Sequence, residues 1–488
     1  MKRRFLLMLY AALLVLLGGL CMAAEENIQA YPVPEGTPRQ AVWFRVYAGS
    51  KEAGVYSDYN MEFDEVNFAY FNFRAGTQVT VKIEVLFDFR SVNVLPARRG
   101  EAMRVEGQTV YLDCAEPGAD YSFVFDNDYQ YITLHLFTSP IDEDEDKYEN
   151  DFNTLYFGPG YHDLSAGQLN LRSGQTLYVA PGAVLNGPVV AERVHDVSIR
   201  GSGVIMMDKP NAVNPQYGNI VITLNNAKNV YIGGVIAHAH RAQNWTTHVY
   251  YSQNVTIENY RVVSTRYASV DALDISNSSN VEITGCFLRS CDDCITIKGL
   301  SSASSPSLAP PNEHIHVRNC RLWNDCNNAM VIGEESMAAY YDDISFKDID
   351  VLYSYDDRDN HGRLEERAVM SIVTLHGTYI RNITWEDVRV NDCQRLVCFT
   401  FLDSFWFGSI RGDQSFPGGI ENVLLKNIDC VSANDGAPAN QILMRGWSKD
   451  KQIKDVRFEN FRVNGQRLTG LMNPLFRINE FISNISFA

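Results

Sequence analysis

Positive charge is scarce in this chain of 488 residues, which has 42 Lys and Arg against 59 Asp and Glu and a net charge of −17. Nucleic-acid binding surfaces need clustered Lys and Arg to neutralise phosphates. A strongly anionic polymer likewise requires positive charge to be concentrated locally. The acid excess therefore disfavours nucleic acid as a partner.

Long apolar runs are missing after the first 20 residues, so no later segment is predicted to span a membrane. At the start, Lys2, Arg3 and Arg4 precede an apolar run that ends before small residues at 23 and 24. This pattern predicts a signal peptide over residues 1–24 and a secreted protein, periplasmic or extracellular. Lipid anchoring through Cys21 is the less favoured alternative, because Leu20 is large where such sites usually carry a small residue.

Cysteine is also sparse, with ten residues of which nine would remain after the leader is removed. An odd number in a large chain does not indicate a scaffold held by disulfides. The Cys291-x-x-Cys294 pair lacks a second such pair or a His partner, so we predict no metal and no cofactor. Cys286 and Cys320 occupy the same place in successive repeats and are predicted to be stacked interior thiols.

Helical periodicity is absent from most of the chain, and a short repeated pattern takes its place. A polar residue, often Asn or Asp, is followed by an aliphatic residue, any residue and a bulky apolar residue. The aliphatic members are Val197, Val230, Val255, Val281, Ile315, Ile344, Ile383, Val423, Val456 and Ile485, at intervals of 25 to 40 residues. The regular leucine spacing of leucine-rich repeats is missing. Residues 153–488 are therefore predicted to form a parallel β-helix, with Asn in left-handed turns and stacked from coil to coil.

The preceding region, residues 25–140, has a different pattern. Val79–Val85 alternates apolar and polar residues, as do residues 43–47 and 131–136. Such strands, separated by Gly and Pro, predict a smaller antiparallel β-sandwich. The acidic run from Asp142 to Asp146 is predicted to be a solvated linker over residues 141–152, in preference to a calcium site. The predicted fold class is all-β.

Carboxylates fall in register between repeats. The segment that starts at Trp245 aligns without gaps with the one that starts at Asp271. Extending the alignment places Trp245, Asp271, Asp293 and Asn328 in one column, with Asp292 beside it. Coils lie ~4.8 Å apart, and like charges that close raise at least one pKa, as a general acid requires.

Strand alternation complicates this interpretation. Ile295 and Ile297 should point inward, which puts Lys298 on the outer side with Asp292 but turns Asp271 and Asp293 toward the core. A bend at the start of each strand is needed to expose them. The alternative is a structural ladder of Asp side chains that bind turn amides.

The run Val270–Ile275, followed by Cys291–Gly299, resembles glycoside hydrolase family 28, the polygalacturonase family of the pectin-lyase-like superfamily. That family carries Asn-Thr-Asp-Gly-x-Asp and then Asp-Asp-Cys-x-x-x-Lys at a similar separation. The resemblance implies a right-handed β-helix and an inverting glycosidase. It also implies that Asp292 is the general acid and that Asp271 and Asp293 position and activate water. The added N-terminal domain is similar to that of family 49, the dextranase and isopullulanase group.

Two family elements differ here. Where polygalacturonases carry Gly-His-Gly, this chain has Asn327-Asn328-Ala329, and their Arg-x-Lys element has no clear counterpart in residues 367–371. A neutral or sparsely charged glycan is therefore as consistent with the sequence as polygalacturonate. We predict that the carbohydrate contacts Trp245, Asp274, Lys298 and Asn328.

Two other functions stay open. A polysaccharide lyase on the same fold needs a cation site and a basic residue beside the acidic carbon of the sugar. A glycan-binding or adhesin solenoid needs no chemistry at all. A carbohydrate polymer or oligosaccharide is the expected partner in each case.

Overall fold

The computed structural model describes residues 26–38, 41–60, 64–208, 220–240, 244–265, 269–355, 367–376, 378–402, 404–405, 408–409, 418–431 and 441–488. The predicted leader, including Cys21, lies outside these residues. Within them, no helix has the length and apolarity needed to cross a membrane.

The N-terminal domain consists of two packed sheets. Its strands are β1 Ile28–Gln29, β2 Phe44–Ala48, β3 Lys51–Ala53, β4 Val55–Tyr59, β5 Glu65–Phe73, β6 Val79–Val85, β7 Val92–Leu95, β8 Met103–Glu106, β9 Thr109–Cys114, β10 Asp120–Phe125 and β11 Thr133–Pro140. One sheet has the order β1-β5-β11-β10-β7 with β4 paired to β5, and the other is β3-β2-β6-β9-β8. All the pairs are antiparallel except β5 with β11. The alternating apolar residues of β6 enter the shared core, as the sequence predicts.

The acidic segment after β11 is mostly exposed to solvent, and it also contacts the β-helix. It contains a short helix, α1 (Glu145–Asn150). The N-terminal domain also has a 3₁₀ turn, Ala97–Arg99, before β8. The hydroxyls of Tyr178 and Tyr156 donate hydrogen bonds of 2.9 Å to Asp142 and Glu145. This segment therefore docks on the first coils of the β-helix.

Parallel strands stack along the rest of the chain. They are β12 Thr154–Phe157, β13 Gly160–Asp163, β14 Leu169–Asn170, β15 Thr176–Val179, β16 Ala183–Asn186, β17 Val189–Glu192, β18 His195–Gly201, β19 Val204–Met206, β20 Ile222–Asn225, β21 Lys228–Gly233, β22 Ile236–His238, β23 Thr247–Tyr250, β24 Gln253–Glu258, β25 Arg261–Ser264, β26 Leu273–Ser276, β27 Ser279–Thr284, β28 Phe287–Ser290, β29 Ile295–Leu300, β30 Asn312–Asn324, β31 Met330–Met337, β32 Tyr340–Ser354, β33 Met370–Thr374, β34 Tyr379–Val390, β35 Val397–Phe401, β36 Ser404–Phe405, β37 Gly408–Ser409, β38 Gly419–Cys430, β39 Ile442–Arg445, β40 Ile453–Glu459, β41 Arg462–Val463, β42 Gln466–Arg467, β43 Phe476–Ile478 and β44 Ile482–Phe487. A 3₁₀ turn spans Pro306–Leu308. Two pairs among these strands are antiparallel, β36 with β37 and β41 with β42.

The repeated pattern marks the same position in every coil. All ten aliphatic anchors, from Val197 to Ile485, are paired in register along one sheet. The polar residue before each anchor has a left-handed backbone, with φ of 52° to 58°. Asn254 donates to Asn229, and Asn280 to Asn254, across neighbouring coils. The predicted all-β fold class, a parallel β-helix after N-terminal sheets, is confirmed.

A second sheet of the β-helix positions the residues considered below. Its order is β14-β17-β20-β23-β26-β29-β31-β33-β35-β39-β43. Strand residues such as Ile295 and Ile297 fill the core of the coil. Cys286 and Cys320 lie in the same core, as predicted.

The N-terminal domain packs on one flank of the β-helix. The apolar cluster between them joins Tyr56, Phe68 and Phe137 to Phe287 and Trp323. Trp323 is fully buried there, against Tyr129 and Tyr353.

Candidate active site

The predicted column of residues lies just before the strands of the second sheet. Thr247, Leu273, Ile295 and Met330 are paired in register, and each column member precedes its strand residue by two positions. The amide of Ala272 donates to the carbonyl of Asp293 at 2.9 Å, which continues the ladder through the column. The structure thus brings Trp245, Asp271, Asp293 and Asn328 together.

The position of the acids before the strands explains why alternation does not apply to them. Asp271 and Asp293 belong to turns, since β26 and β29 begin two residues later. Asp271 accepts a hydrogen bond of 3.0 Å from Lys298 Nζ, on the outer side of β29. Asp293 accepts from the amide N–H and the side-chain amide of Asn328, both at 2.9 Å. The two side chains are 2% and 1% exposed.

Asp292 has a different environment. Its side chain is half-buried, and so it is the member of the trio with access to solvent. Asn327 Nδ2 donates to Oδ1 at 2.6 Å, and the N–H of Ser269 donates to Oδ2 at 2.8 Å. These two bonds hold the carboxyl group in one orientation at the mouth of the site.

Lys298 lies among acids. Its Nζ is 3.0 Å from Asp271, 3.3 Å from Asp274 and 3.8 Å from Glu335, and it lies 4.3 Å from the centre of the Trp245 ring. Burial by itself lowers the pKa of Lys298, but the carboxylates around it raise this pKa well above its usual value. Lys298 is therefore a cation at every working pH.

The single lysine does not neutralise the carboxylates. Burial, and then the charge of Asp274, raises the pKa of Asp271 well above its usual value. Burial and the charge of Asp292 raise the pKa of Asp293 to about 8, although Lys298 and Asn328 oppose this. Burial raises the pKa of Asp274 to about 6, opposed by Lys298 and by a hydrogen bond of 2.6 Å from Thr296. The site therefore holds protons that ordinary aspartates release.

Two further carboxylates, Glu334 and Glu335, were not predicted from the sequence. Strand β31 carries a bulge, because Ile297 pairs with Ile332 while Gly299 pairs with Ser336. The extra residues turn Glu334 into contact with Asn328 at 3.1 Å and Glu335 toward Lys298. Burial and the charge of Asp293 raise the pKa of Glu334 well above its usual value.

The bulge depends on a glycine. Gly333 has φ of 103°, and a Cβ at this position would lie 1.8 Å from the carbonyl oxygen of Val373. In the sequence, the signal for these acids was their place directly after the Val331-Ile332-Gly333 run. A bulge breaks the alternation of inward and outward side chains in a strand, so the direction of these acids could not be predicted from it.

Asn328 joins the acids to the next coil. Its side-chain oxygen accepts from Ser371 Oγ at 2.6 Å and from the N–H of Ala368 at 2.9 Å, while its nitrogen faces Asp293 and Glu334. His248, next to Trp245, is buried, and this burial lowers its pKa to about 3.

A comparison with protein families bears on this stretch of the chain. The model of the family described as Glycosyl hydrolases family 28 matches residues 193–350, which include every site residue described above except Ala368 and Ser371. The resemblance to family 28 is confirmed. No curated protein matches the chain in sequence.

Solved structures share its architecture. Dex49A from Penicillium minioluteum is 14% identical, covers 94% of this chain and 96% of its own, and has a TM-score of 0.66. The family 28 exopolygalacturonase of Yersinia enterocolitica is 13% identical, with coverage of 94% and 97% and a TM-score of 0.50. The hyperthermoactive exopolygalacturonase of Thermotoga maritima is 16% identical, with coverage of 68% and 84% and the same TM-score. At these identities the likeness establishes the fold, and together with the family match it supports a glycan-degrading hydrolase.

Proposed function

We propose that the protein is a secreted, inverting glycoside hydrolase whose general acid is Asp292. The observation that carries this proposal is the half-buried Asp292 carboxyl group, oriented by Asn327 and Ser269, beside two buried acids of the column. In hydrolysis, the acid protonates the leaving oxygen while a second carboxylate activates water on the opposite face of the sugar.

The water would be held by Asp271 and Asp293. Asp293 can accept a proton from water only in its ionised form. Its pKa of about 8 makes that form a stronger base than an ordinary aspartate but leaves it the minor form at pH 7. Lys298 and Asn328 hold these two carboxylates in place. Inversion requires room for water between the acid and the base, roughly 6.5–9.5 Å between the carboxyl groups.

The substrate we propose is a neutral or sparsely charged glycan. Lys298 is the cation at this site in the described part of the chain, and Asp271, Asp274 and Glu335 already surround it. A polymer with a carboxylate on every sugar would be repelled by the excess of acids. The half-buried Trp245 ring offers an apolar face for a sugar ring, and Asp274 lies deeper, bound to Lys298 and Thr296.

Secretion is part of the same proposal and rests on the leader predicted over residues 1–24. A hydrolase of polymeric glycans meets its substrate outside the cytoplasm. Expression of the full chain with its leader, followed by fractionation and N-terminal sequencing of the product, tests this part alone.

The experiment that tests the reaction is a screen of plant and microbial glycans, followed by anomeric NMR on the substrate that is cleaved. We expect the configuration at the cleaved carbon to invert. Asp292→Asn should lower kcat by about 10²–10⁴-fold, since it removes the proton donor but keeps the shape. Asp196→Asn is the matched control. Asp196 lies in the row of left-handed turns before the anchors, distant from the candidate active site, and other coils carry Asn at this position.

The outcomes separate the alternatives. Retention of configuration would overturn the assigned mechanism. Products with an unsaturated uronic ring would identify a lyase. Glycan binding without any cleavage by the wild-type chain, unchanged in Asp292→Asn, would identify a binding solenoid.

A further inference from the structure

A second cluster of titratable side chains lies away from the candidate active site, where the N-terminal domain meets the β-helix. Asp58 comes from strand β4, and His238 and His240 come from the end of strand β22 and the residues just after it. All three side chains are buried, with exposures of 0% to 1%. Two domains therefore contribute to one enclosed group of metal-binding side chains.

The atoms that could bind a metal converge. His238 Nε2 lies 3.8 Å from Asp58 Oδ2, and His240 Nδ1 lies 3.4 Å from Asp58 Oδ1. One ligand atom from each residue lies within 4.8 Å of the others. In a tetrahedral zinc site with bonds near 2.1 Å, neighbouring ligand atoms are about 3.4 Å apart. The cluster is therefore close to the size that a bound ion would impose.

The opposite nitrogen of each imidazole faces an oxygen atom, which is hydrogen-bonded to His238 and lies beyond hydrogen-bond distance from His240. His238 Nδ1 lies 2.5 Å from the carbonyl oxygen of Val263, so it carries the proton and Nε2 presents its lone pair to Asp58. His240 Nε2 lies 3.7 Å from Asp208 Oδ1. Metal-binding histidines usually donate their second N–H to a carbonyl or carboxylate in this way, which fixes the tautomer.

His240 adds an independent observation. Its ring is 1% exposed, and within the described structure neither of its nitrogens makes a hydrogen bond. A buried polar group without such a bond costs free energy. Likewise, a carboxylate oxygen that faces the lone pair of His238 is unfavourable unless a proton or a metal cation lies between them.

We propose that Asp58, His238 and His240 bind one divalent transition metal of the zinc class, with Asp208 supporting His240. Two imidazoles and one carboxylate suit such an ion, whereas calcium and magnesium prefer all-oxygen sites. The ion links β4 to the coil that carries β22, and the N–H of Tyr59 orients the Asp58 carboxylate through a bond of 2.8 Å. The site does not depend on the proposed hydrolase activity.

The test measures zinc binding by the full-length chain after dialysis against a chelator. We expect one zinc ion per chain by elemental analysis after equilibrium dialysis with Zn²⁺ alone. Zinc should also raise the melting temperature by at least about 2 °C, because a ligand that binds only the folded chain stabilises it. Calcium at the same concentration should produce no rise. A wild-type chain that binds no zinc, or one that responds equally to calcium, would overturn the proposal.

Variants locate the ion. His240→Gln should lose the zinc and the thermal response, and Asp208→Asn, which spares the three ligands, should weaken zinc binding by roughly 10-fold or more. The control is the double variant His314→Gln and His316→Gln, which removes an exposed pair of histidines at Asp343. This control should keep one zinc ion per chain. Zinc that stays in His240→Gln but disappears from the control would place it on the surface and refute the buried site.

Discussion

Two buried groups of charged residues in this protein have opposite excesses of charge, positive in one and negative in the other. At the junction of the domains, Asp120 lies between two arginines, at 3.0 Å from Arg261 Nε and 2.5 Å from Arg321 Nη2. Arg261 also donates to Ser139 Oγ and to the carbonyl of Thr138. At the candidate active site the excess is acidic, with Lys298 surrounded by three carboxylates.

The difference lies in which groups can exchange a proton. An arginine does not lose its proton in a protein, so the charges at the junction are fixed. A carboxylate beside other carboxylates can take up a proton, and the raised pKa values of Asp271, Asp274 and Asp293 reflect this. Fixed pairs hold the domains together, whereas the carboxylates of the candidate active site can gain and lose protons.

The largest effect is expected at the junction. Asp120→Ala leaves Arg261 and Arg321 buried without a counter-charge, so it should lower the free energy of unfolding by about 3–5 kcal/mol. Urea denaturation followed by fluorescence measures this loss. Asp113→Ala, which removes a surface carboxylate of the same domain, is the control and should change stability by less than about 0.5 kcal/mol. A loss below about 1 kcal/mol for Asp120→Ala would mean that the junction charges are not fixed.

Removal of the cation at the site should cost less. In Lys298→Met, Asp271 and Asp274 lose the charge that lowers their pKa values, and they compensate by binding protons. We expect a loss of about 1–3 kcal/mol at pH 7. The pKa values of these acids in the unfolded chain are the same in both proteins, so only the folded chains differ. The loss should therefore grow as pH rises above about 6, the pKa of Asp274 in the wild type, and vanish below it. Melting temperatures of both proteins across this pH range check the sign, and a pH-independent loss would contradict it.

A substitution at Asp293 should stabilise the protein. The pKa of Asp293 is about 8 in the folded chain, against about 4 for an unfolded aspartate. Folding is therefore opposed increasingly as pH rises from 4 through 8, since the folded chain holds a proton that the unfolded chain releases. Asp293→Asn removes this penalty and should add about 1–2 kcal/mol at pH 7 and almost nothing at pH 4. A lower melting temperature than the wild type at pH 7 would contradict the assignment.

The smallest effect is expected at Glu334. Burial and the charge of Asp293 raise its pKa and so favour its protonated form, which a glutamine closely matches in shape. Glu334→Gln keeps an acceptor for Asn328 and should change stability by less than about 0.5 kcal/mol at pH 6. Glu334→Ala removes the acceptor and is the contrasting variant. A large loss in Glu334→Gln alone would show that Glu334 is ionised and belongs with the fixed charges.

The sequence predicted the coil well because the information is local. A left-handed turn favours Asn or a similar residue, and the aliphatic anchor directly after it points into the core, so each repeat marks its own register. The same register placed Trp245, Asp271, Asp293 and Asn328 in one column. It also placed Lys298 on the side of the acids.

Other parts of the site depend on features that no local pattern carries. The bulge at Gly333 that brings in Glu334 and Glu335 depends on the close approach of the carbonyl of Val373 in the next coil. The burial of Trp323 depends on the docked N-terminal domain. The cluster of Asp58 with His238 and His240 joins residues about 180 positions apart in sequence, and alternation says nothing about such pairs.

The ladder of left-handed turns has a consequence for how this chain can change in length. Every coil closes at the same kind of turn, yet the intervals between anchors range from 25 to 40 residues. Extra residues are therefore accommodated in excursions between turns, while the backbone pairing on either side keeps its spacing. The paired strands of the β-helix stay the same from coil to coil. Excursions near the acids can therefore be lengthened or exchanged to fit another glycan while the strand pairing is kept.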